Sequence, residues 1–170
     1  ADYAFISSMV VQRTSAQHII KRCKEVDVKV VAGGPLFTSE HEQFENVDHF
    51  VLNEAELTLP SFLEDLNNNC ARRVYSTSHF ADIQKTPAPL WELADLKQYA
   101  SMSIQYTRGC PYHCEFCNVT SLFGRRPRTK TAEQIVAELD CFYNMGWRGR
   151  VFFVDDNLIG NKKSLKNELL

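Results

Sequence analysis

The sequence predicts an α/β fold with a parallel sheet, and three observations support this prediction. Short apolar runs rich in β-branched residues recur along the chain, and residues 28–32 are the clearest of them. The runs alternate with segments in which apolar residues return at helical spacing. Turn residues close the clearest run, at Gly33-Gly34-Pro35. Buried-looking strands that alternate with helices are typical of right-handed βαβ units on one sheet.

The N-terminal half contains the first group of predicted elements. The predicted strands lie at residues 3–9, 28–32 and 49–52, and residues 72–76 are compatible with one more. A helix follows the first strand, with Ser15 as its predicted N-cap, and a second helix is predicted over 54–66. Together these elements predict part of a doubly wound α/β domain over residues 1–75.

A second α/β segment follows an irregular stretch. Pro87 and Pro89 break any helix between Cys70 and Tyr99, so residues 76–100 are predicted to be a linker. Beyond it, strands are predicted at 101–107 and 151–155, on either side of a helix over 132–145.

The helix predicted over 132–145 carries the clearest local signals. Thr131 and Gln134 fit a capping box at its start. One apolar stripe is predicted from Ile135, Val136, Leu139, Phe142 and Tyr143. Asn161 is the predicted cap of a further helix that the chain end interrupts. We therefore expect the 170 residues to be a piece of a longer protein.

Composition narrows the class of protein. The formal charge is only −2, so no global field favours binding to nucleic acid or to anionic lipid. No apolar run approaches the roughly 20 residues that span a bilayer, and the first residues lack a signal-peptide pattern. The composition predicts a cytoplasmic protein.

Three of the six cysteines, Cys110, Cys114 and Cys117, lie within eight residues of one another. In a chain without an export signal, such thiols predict metal binding rather than disulfides. They lie in a long loop after a predicted strand, where α/β barrels place their active sites. Soft thiolate ligands suit an iron–sulfur cluster, and three ligands leave one iron open for chemistry.

Two other metal sites remain alternatives for this loop. His113 together with the three cysteines supplies four donors for zinc, although adjacent His113 and Cys114 differ from the spaced pairs of most zinc modules. A ferredoxin-type electron carrier needs a fourth cysteine nearby, and the next one, Cys141, lies in the middle of a predicted helix.

Two further groups of polar residues are candidates for function. Asp155, Asp156 and Asn157 follow the last predicted strand, at the same edge of the sheet as the cysteine loop if the units are parallel. A polar turn is the alternative explanation. The loop is followed by four cations, Arg125, Arg126, Arg128 and Lys130. We interpret them as a solvated segment. The alternative is that they attract an anionic substrate or a reductant.

The spacing CxxxCxxC, with Phe116 just before the third cysteine, resembles the signature of the radical S-adenosylmethionine (SAM) superfamily. The resemblance implies that Cys110, Cys114 and Cys117 ligate a 4Fe-4S cluster and that SAM chelates the open iron. An electron from the cluster then releases methionine and a 5′-deoxyadenosyl radical. The resemblance also implies that Phe116 lies near the adenine. Asp155, Asp156 and Asn157 stand where the superfamily often has a Gly-Gly-Glu-like motif that binds the SAM amino group.

The N-terminal half resembles the cobalamin-binding domain of one branch of this superfamily. Ser7-Ser8-Met9 resembles its SxL element, and Gly33-Gly34 resembles its glycine pair, which approaches the nucleotide tail of the corrin. A tight turn and a strand hydroxyl are the alternative explanation for these residues. The branch's DxHxxG element, whose histidine ligates cobalt in many members, is absent from the chain.

These resemblances make the predicted fold specific. Residues 1–75 are expected to form a partial Rossmann-like sheet of the cobalamin-binding type. Residues 101–170 are expected to form the first βα units of a radical SAM partial TIM barrel. Within the branch, the chain is similar to a subgroup that includes hopanoid C-2 methylases.

The subgroup implies cobalamin-dependent methyl transfer to an unactivated carbon of a small molecule such as a lipid or natural product. It also implies a reductant of the flavodoxin or ferredoxin type. A radical SAM rearrangement, cyclisation or sulfur insertion without methyl transfer is a second hypothesis, and a non-catalytic metal-binding module is a third. The sequence does not assign a catalytic residue.

Overall fold

The computed structural model describes residues 1–158, which divide after Ala81 into two compact units. The strands of the first unit are β1 (Tyr3–Ser7), β2 (Lys29–Gly33), β3 (His49–Val51) and β4 (Val74–Tyr75). Its α-helices are α1 (Arg13–Glu25), α2 (Pro35–Glu40) and α3 (Ala55–Asn67). The strands of the second unit are β5 (Ser101–Ile104), β6 (Thr107–Arg108), β7 (Arg128–Thr129) and β8 (Arg150–Phe153). Its α-helices are α4 (Val119–Phe123) and α5 (Ala132–Asn144).

The first unit is a doubly wound α/β layer, as predicted. Its four strands are all parallel and are ordered β1-β2-β3-β4. On one face, α1 and α2 cover Val30, Ala32 and Phe50. On the other face, Phe62 of α3 packs against Val31 and other apolar residues of the sheet. Because successive side chains of a strand point to opposite faces, Val30 and Val31 belong to different cores.

Helix α1 begins earlier than predicted, so the assignment of Ser15 as its N-cap is wrong. A 3₁₀ turn over Val10–Gln12 leads directly into the helix at Arg13. The Gln12 side chain accepts a hydrogen bond from the Met9 N–H at 2.9 Å, and it fixes the turn that starts the helical segment. Ser15 therefore lies within the first turn of the α-helix.

The second unit contains the start of a barrel-type sheet. Strands β5 and β8 are parallel neighbours, and α5 lies between them in the chain. Buried apolar side chains of β5 and α5, with Tyr106, form the core: Met102, Ile104, Tyr106, Ile135 and Phe142. This strand–helix–strand arrangement confirms the predicted fold class of the second half.

The strand predicted at 101–107 is divided in two. Strand β5 ends at Ile104, and the chain turns before β6, which pairs antiparallel with β7. Tyr106, which lies between the two strands, is in the core at 0% exposure, and β6 forms a separate two-stranded sheet with β7.

Residues 82–100 belong to the second unit. Trp91 and Leu96 pack against the core of that unit, and the Trp91 ring lies 4.8 Å from the Phe142 ring. The segment 76–100 is therefore divided by the unit boundary, and its later part carries apolar contacts that a free linker lacks. The assignment of cofactors to the two domains remains a prediction.

Helix α5 has the predicted capping box but a narrower apolar stripe. The Thr131 Oγ1 accepts from the Gln134 N–H at 3.2 Å, and the Gln134 side chain accepts from the Thr131 N–H at 2.9 Å. Of the predicted stripe, Ile135 and Phe142 are buried, whereas Val136, Leu139 and Tyr143 are exposed. Glu138 is the third buried residue of the helix.

Two expectations concern other parts of the chain. The helix predicted to begin near Asn161 lies outside the described residues. Within residues 1–158, no helix combines the length and the apolar character needed to cross a membrane.

Candidate cofactor-binding sites

The cysteine loop runs from Gly109 to Asn118, between β6 and α4. The β6–β7 pair closes its base, and the Cys110 N–H donates to the Gly124 carbonyl at 3.2 Å. Helix α4 holds the other end, since Leu122 is buried. The loop therefore leaves and re-enters the fold at fixed points.

Gly109 sets the direction in which the chain enters the loop. Its φ is +95°, a conformation that residues with a Cβ rarely adopt. A Cβ at this position meets the carbonyl oxygens of Phe123 and Arg126 at 3.0 Å each. A glycine is therefore needed immediately before the first cysteine.

The three cysteines differ in how firmly the fold holds them. Cys110 and Cys117 are half-buried, whereas Cys114 is exposed. A single turn, in which the Cys117 N–H donates to the Cys114 carbonyl at 3.1 Å, orders the backbone between the last two. Phe116 lies in this turn with 94% of its surface exposed.

The donor set of the loop fits an iron–sulfur cluster. Three thiols on a short irregular loop match the ligand chemistry of such clusters. Across residues 1–158, however, no three side chains of the His, Cys, Asp and Glu types lie close enough together to hold a metal ion. The loop thus supplies suitable ligands, and the backbone N–H of Cys110 ties the first of them to the Gly124 carbonyl.

The polar residues after β8 contact the start of the cysteine loop. The Asp155 Oδ1 accepts from the N–H groups of Tyr106 and Thr107, at 2.7 Å and 2.8 Å. The Asp156 Oδ2 accepts from the Gly109 N–H at 2.9 Å. The three predicted SAM-binding residues Asp155, Asp156 and Asn157 therefore lie together at the edge of the sheet, beside the loop as expected.

Asn157 reaches one of the predicted cluster ligands. Its Nδ2 group donates to the Cys110 Sγ at 3.4 Å. This is a side-chain contact between the end of β8 and the first cysteine of the loop. It distinguishes Cys110 from the other two predicted ligands.

Burial is the main cause that raises the pKa of Asp155 above its ordinary value. The neighbouring Asp156 charge raises this pKa further, whereas the Thr107 and Tyr106 N–H groups and the Lys130 charge lower it. The Asp155 Oδ2 is buried and, among residues 1–158, has no hydrogen-bond partner. The carboxylate is thus held close to the loop at an electrostatic cost.

A buried ion pair lies in the same unit. The Lys130 ammonium contacts the Glu138 carboxylate, and their side chains are 10% and 3% exposed. The backbone N–H of Lys130 donates to the Tyr106 carbonyl at 2.9 Å. Lys130, Tyr106 and Asp155 thus connect α5, the end of β5 and the end of β8.

The interpretation of the four cations as one solvated segment is wrong for Lys130. This residue is buried because Glu138 neutralises its charge. Arg128 is half-buried and donates to the Phe123 carbonyl at 3.0 Å. Arg125 and Arg126 are exposed, in agreement with the prediction.

The first unit has a second candidate site at the carboxyl ends of β1, β2 and β3. A cavity of about 260 Å³ opens there. The three residues predicted to contact cobalamin, Ser7, Gly33 and Gly34, all line it. Apolar side chains such as Val31 and Leu59 form much of the rest. Its position matches the rule that open parallel sheets bind ligands at this edge.

The two glycines let backbone segments approach closely at this edge. A Cβ on Gly33 lies 2.6 Å from the Val51 carbonyl oxygen. Gly34 has a φ of +84°, and a Cβ there lies 2.6 Å from the Ser7 Oγ. The glycine pair is therefore required by the fold itself, and it also leaves the cavity open.

Sequence reasoning missed the Glu138–Lys130 pair and the backbone groups of residues 106–109. A signal for the pair was present. Glu138 lies three residues after Ile135 and four before Phe142, so it shares the face of α5 that both bury. A carboxylate on a buried face needs a cation, and Lys130 is near it in sequence. For residues 106–109, no sequence signal shows that their backbone N–H groups donate to side chains.

Comparisons with known proteins identify the family of one segment and several relatives of the chain. Residues 104–165 match the family model described as the radical SAM superfamily. An uncharacterized methyltransferase of Synechocystis is 43% identical over 98% of this chain and 31% of its own length. The hopanoid C-2 methylase of Rhodopseudomonas palustris is 39% identical over 96% of this chain and 32% of its own length. The chain thus spans about a third of the curated relatives that it matches.

The fold of the chain also matches a solved structure. The cobalamin-dependent SAM radical enzyme OxsB, solved with aqua-cobalamin and SAM bound, superposes with a TM-score of 0.73 over 99% of this chain and 27% of its own. Its identity of 18% shows a shared fold alone. The cysteine loop and β8 lie in the segment that the family model matches, which begins at Ile104, the last residue of β5. Residues 104–165 are therefore the part of the chain that is similar to the radical SAM superfamily.

Proposed function

We propose that the chain is the cofactor-binding part of a cobalamin-dependent radical SAM methyltransferase. The observation that carries the proposal is the cysteine loop, which lies within the radical SAM segment and carries three thiols beside the carboxyl edge of the parallel β5–β8 pair. The methyltransferase names of the curated relatives support the reaction class.

Cys110, Cys114 and Cys117 are the residues that would hold the 4Fe-4S cluster. A bound cluster of this kind supplies single electrons for the reductive cleavage of SAM. The chain's own groups orient the site: Asp156 holds the Gly109 N–H, and Asp155 holds the two N–H groups before it. Because these contacts define where Cys110 stands, we assign Asp155 and Asp156 to loop positioning rather than to direct SAM contact.

The cavity of the first unit is the proposed site for a face or the nucleotide tail of cobalamin. Its mixture of apolar walls and the Ser7 hydroxyl suits a large, mostly apolar ring system with polar side arms. The glycine pair removes the side chains that otherwise fill the edge of the sheet. The observation supports a corrin and does not depend on the cysteine loop.

The substrate class and the electron donor complete the proposal. The relative that acts on a hopanoid favours a small lipid-like or natural-product substrate with an unactivated carbon. Single-electron chemistry requires a reductant, for which a flavodoxin- or ferredoxin-type protein is the expected class.

Anaerobic reconstitution with iron and sulfide tests the cluster. We expect about four iron and four sulfide per chain, visible charge-transfer absorbance and, on reduction, cleavage of SAM to 5′-deoxyadenosine. Cys114→Ala should abolish all three. Cys70→Ala is the matched control, because Cys70 is also exposed but lies in the first unit. One bound zinc without SAM cleavage in the parent protein would instead establish the metal-binding module.

Binding of aqua-cobalamin, followed by equilibrium dialysis, tests the cavity. Ala55→Phe places a ring in the cavity from an exposed position on α3, and we expect at least a tenfold loss of affinity. Leu57→Phe on the same helix does not line the cavity and should bind as the parent does. A protein that cleaves SAM but binds no corrin would favour radical SAM chemistry without methyl transfer.

A further inference from the structure

The side chains after β8 continue the pairing of two strands beyond the end of their backbone ladder. Strands β5 and β8 pair in register from Ser101↔Arg150 to Ile104↔Phe153. The last backbone bond of the pair runs from the Val154 N–H to the Ile104 carbonyl at 2.9 Å. From the next residue onward, side chains of the β8 extension accept or donate the bonds instead.

These side-chain contacts advance along both segments together. Asp155 contacts Tyr106 and Thr107, Asp156 contacts Gly109, and Asn157 contacts Cys110. The Asp155 and Asp156 carboxylates accept from backbone N–H groups, and the Asn157 amide donates to sulfur. Asn157 is the member of this series that reaches a predicted cluster ligand.

We propose that Asn157 is a positioning residue that holds the Cys110 sulfur and raises the reduction potential of the cluster bound by the loop. This inference rests on the proposed function. The physical reason is that an N–H donor stabilises the negative charge on a ligand sulfur. That charge is greater in the reduced cluster, so the donor favours reduction.

The contact also makes the three predicted ligands differ in how firmly they are held. Cys110 is held by its own backbone bond to Gly124 and by Asn157, whereas Cys114 is exposed on a loop with one backbone turn. Cys110 is therefore the fixed ligand.

The test is the midpoint potential of the reconstituted cluster, measured by redox titration with detection by electron paramagnetic resonance. Asn157→Leu keeps the side-chain size but removes the donor. We expect about a tenfold decrease in the equilibrium constant for reduction, which is a shift of about 59 mV to more negative potential for one electron. Asn157→Gln retains an amide donor and should restore part of the shift.

Asn118→Leu is the matched control, because Asn118 lies at the other end of the same loop, is exposed, and makes no side-chain cap bond. Its potential should equal that of the parent. An Asn157→Leu cluster with the parent's potential would overturn the inference and leave the proposed function intact. A parent protein that assembles no cluster would overturn both.

A leucine variant that assembles no cluster calls for a second comparison. Asn157→Asp has the same shape and no donor when ionised, and it should also lower the potential. Cluster assembly that fails with leucine and aspartate but succeeds with glutamine supports the positioning role. Failure with all three variants while Asn118→Leu assembles normally would show that the amide does not act through its N–H group.

Discussion

The cavity of the first unit and the cysteine loop of the second unit differ in what holds their residues in place. Ser7 and Gly33 are paired within the parallel sheet, and Gly34 begins the turn into α2. Cys114 and Cys117 lie on irregular backbone, and their position depends on the anchors at the loop's two ends. Strand pairing thus fixes the residues that line the first cavity. In the second unit, backbone and side-chain contacts fix only the base of the loop that carries the thiols.

The largest effect is expected when the buried ion pair of the second unit is removed. Glu138→Ala leaves the Lys130 ammonium buried without its partner, and we expect a loss of about 3–5 kcal/mol in the free energy of unfolding. Both tryptophans of the chain, Trp91 and Trp147, lie in the second unit, so their fluorescence during urea unfolding reports on that unit.

Asp140→Ala changes an exposed carboxylate on the same helix and should cost less than about 0.5 kcal/mol. The double variant Lys130→Met/Glu138→Leu should recover most of the loss, because apolar side chains of similar size replace a buried pair well. Equal effects of Glu138→Ala and Asp140→Ala would show that the pair does not support the loop's unit.

The second test concerns the close approach of Gly34 to Ser7 at the sheet edge of the first unit. Gly34→Ala forces a side chain into a φ of +84° and against the Ser7 Oγ, so we expect a loss of about 2–4 kcal/mol. Gly146→Ala is the matched control, because its φ is +89° and no atom of the described part of the chain lies within 4 Å of the added Cβ. The control should cost about 1–2 kcal/mol.

Far-UV circular dichroism during urea unfolding measures both glycine variants. The difference between them isolates the steric contact from the cost of the backbone conformation. Identical losses would mean that the Ser7–Gly34 approach relaxes freely, and the first site would then be no more rigid than the cysteine loop.

The smallest test compares two aspartates that accept backbone N–H groups, one in each unit. Burial raises the pKa of Asp48, but the Val30 N–H and the Lys24 ammonium outweigh it, so its pKa lies below 3.8. Its contribution to stability is therefore present above pH 3.8 and is lost as the pH falls through the lowered pKa. The pKa of Asp155 lies above 3.8, chiefly because of burial. Its contribution is present below pH 3.8 and is lost as the pH rises through the raised pKa.

Asparagine variants at the two positions should consequently differ in their effect on stability. At neutral pH, Asp48→Asn should lower the urea midpoint, while Asp155→Asn should leave it unchanged or raise it. Both differences should shrink as the pH falls below 3.8. Asp155→Asn that lowers the midpoint at neutral pH would show that the carboxylate charge helps to hold the loop's base.

Much of the fold was predictable because it follows from local patterns. The alternation of apolar runs and helical segments predicted the parallel sheet, and the Thr131–Gln134 capping box stands where the sequence indicates it. The break between β5 and β6 was not predictable, because it depends on Asp155, which is about fifty residues away in the chain. The exposure of Val136 and Tyr143 was also missed, since apolar spacing on a helix does not say which part of a stripe meets a partner.

The candidate sites were likewise predictable in part from the sequence. Cysteine spacing and the residue before the third cysteine identified the superfamily, and the family model matches that segment. The roles of Asp155, Asp156 and Asn157 as contacts to the loop depend on which atoms face them across the sheet edge. Sequence reasoning placed these residues at the correct edge but could not say whether they face a cofactor or the protein.

By itself, the sequence determined the α/β architecture, the three clustered thiols, the glycine pair and the likeness to radical SAM enzymes. These features depend on residue type and on spacing over a few residues. Only the tertiary structure decided that Lys130 is buried with Glu138, that Ser7 and the glycine pair line one cavity, and that Asn157 reaches Cys110. Each of those contacts joins separate elements, and hydrogen bonds and ion pairs act over a few ångströms, so they exist only after the strands and helices have packed.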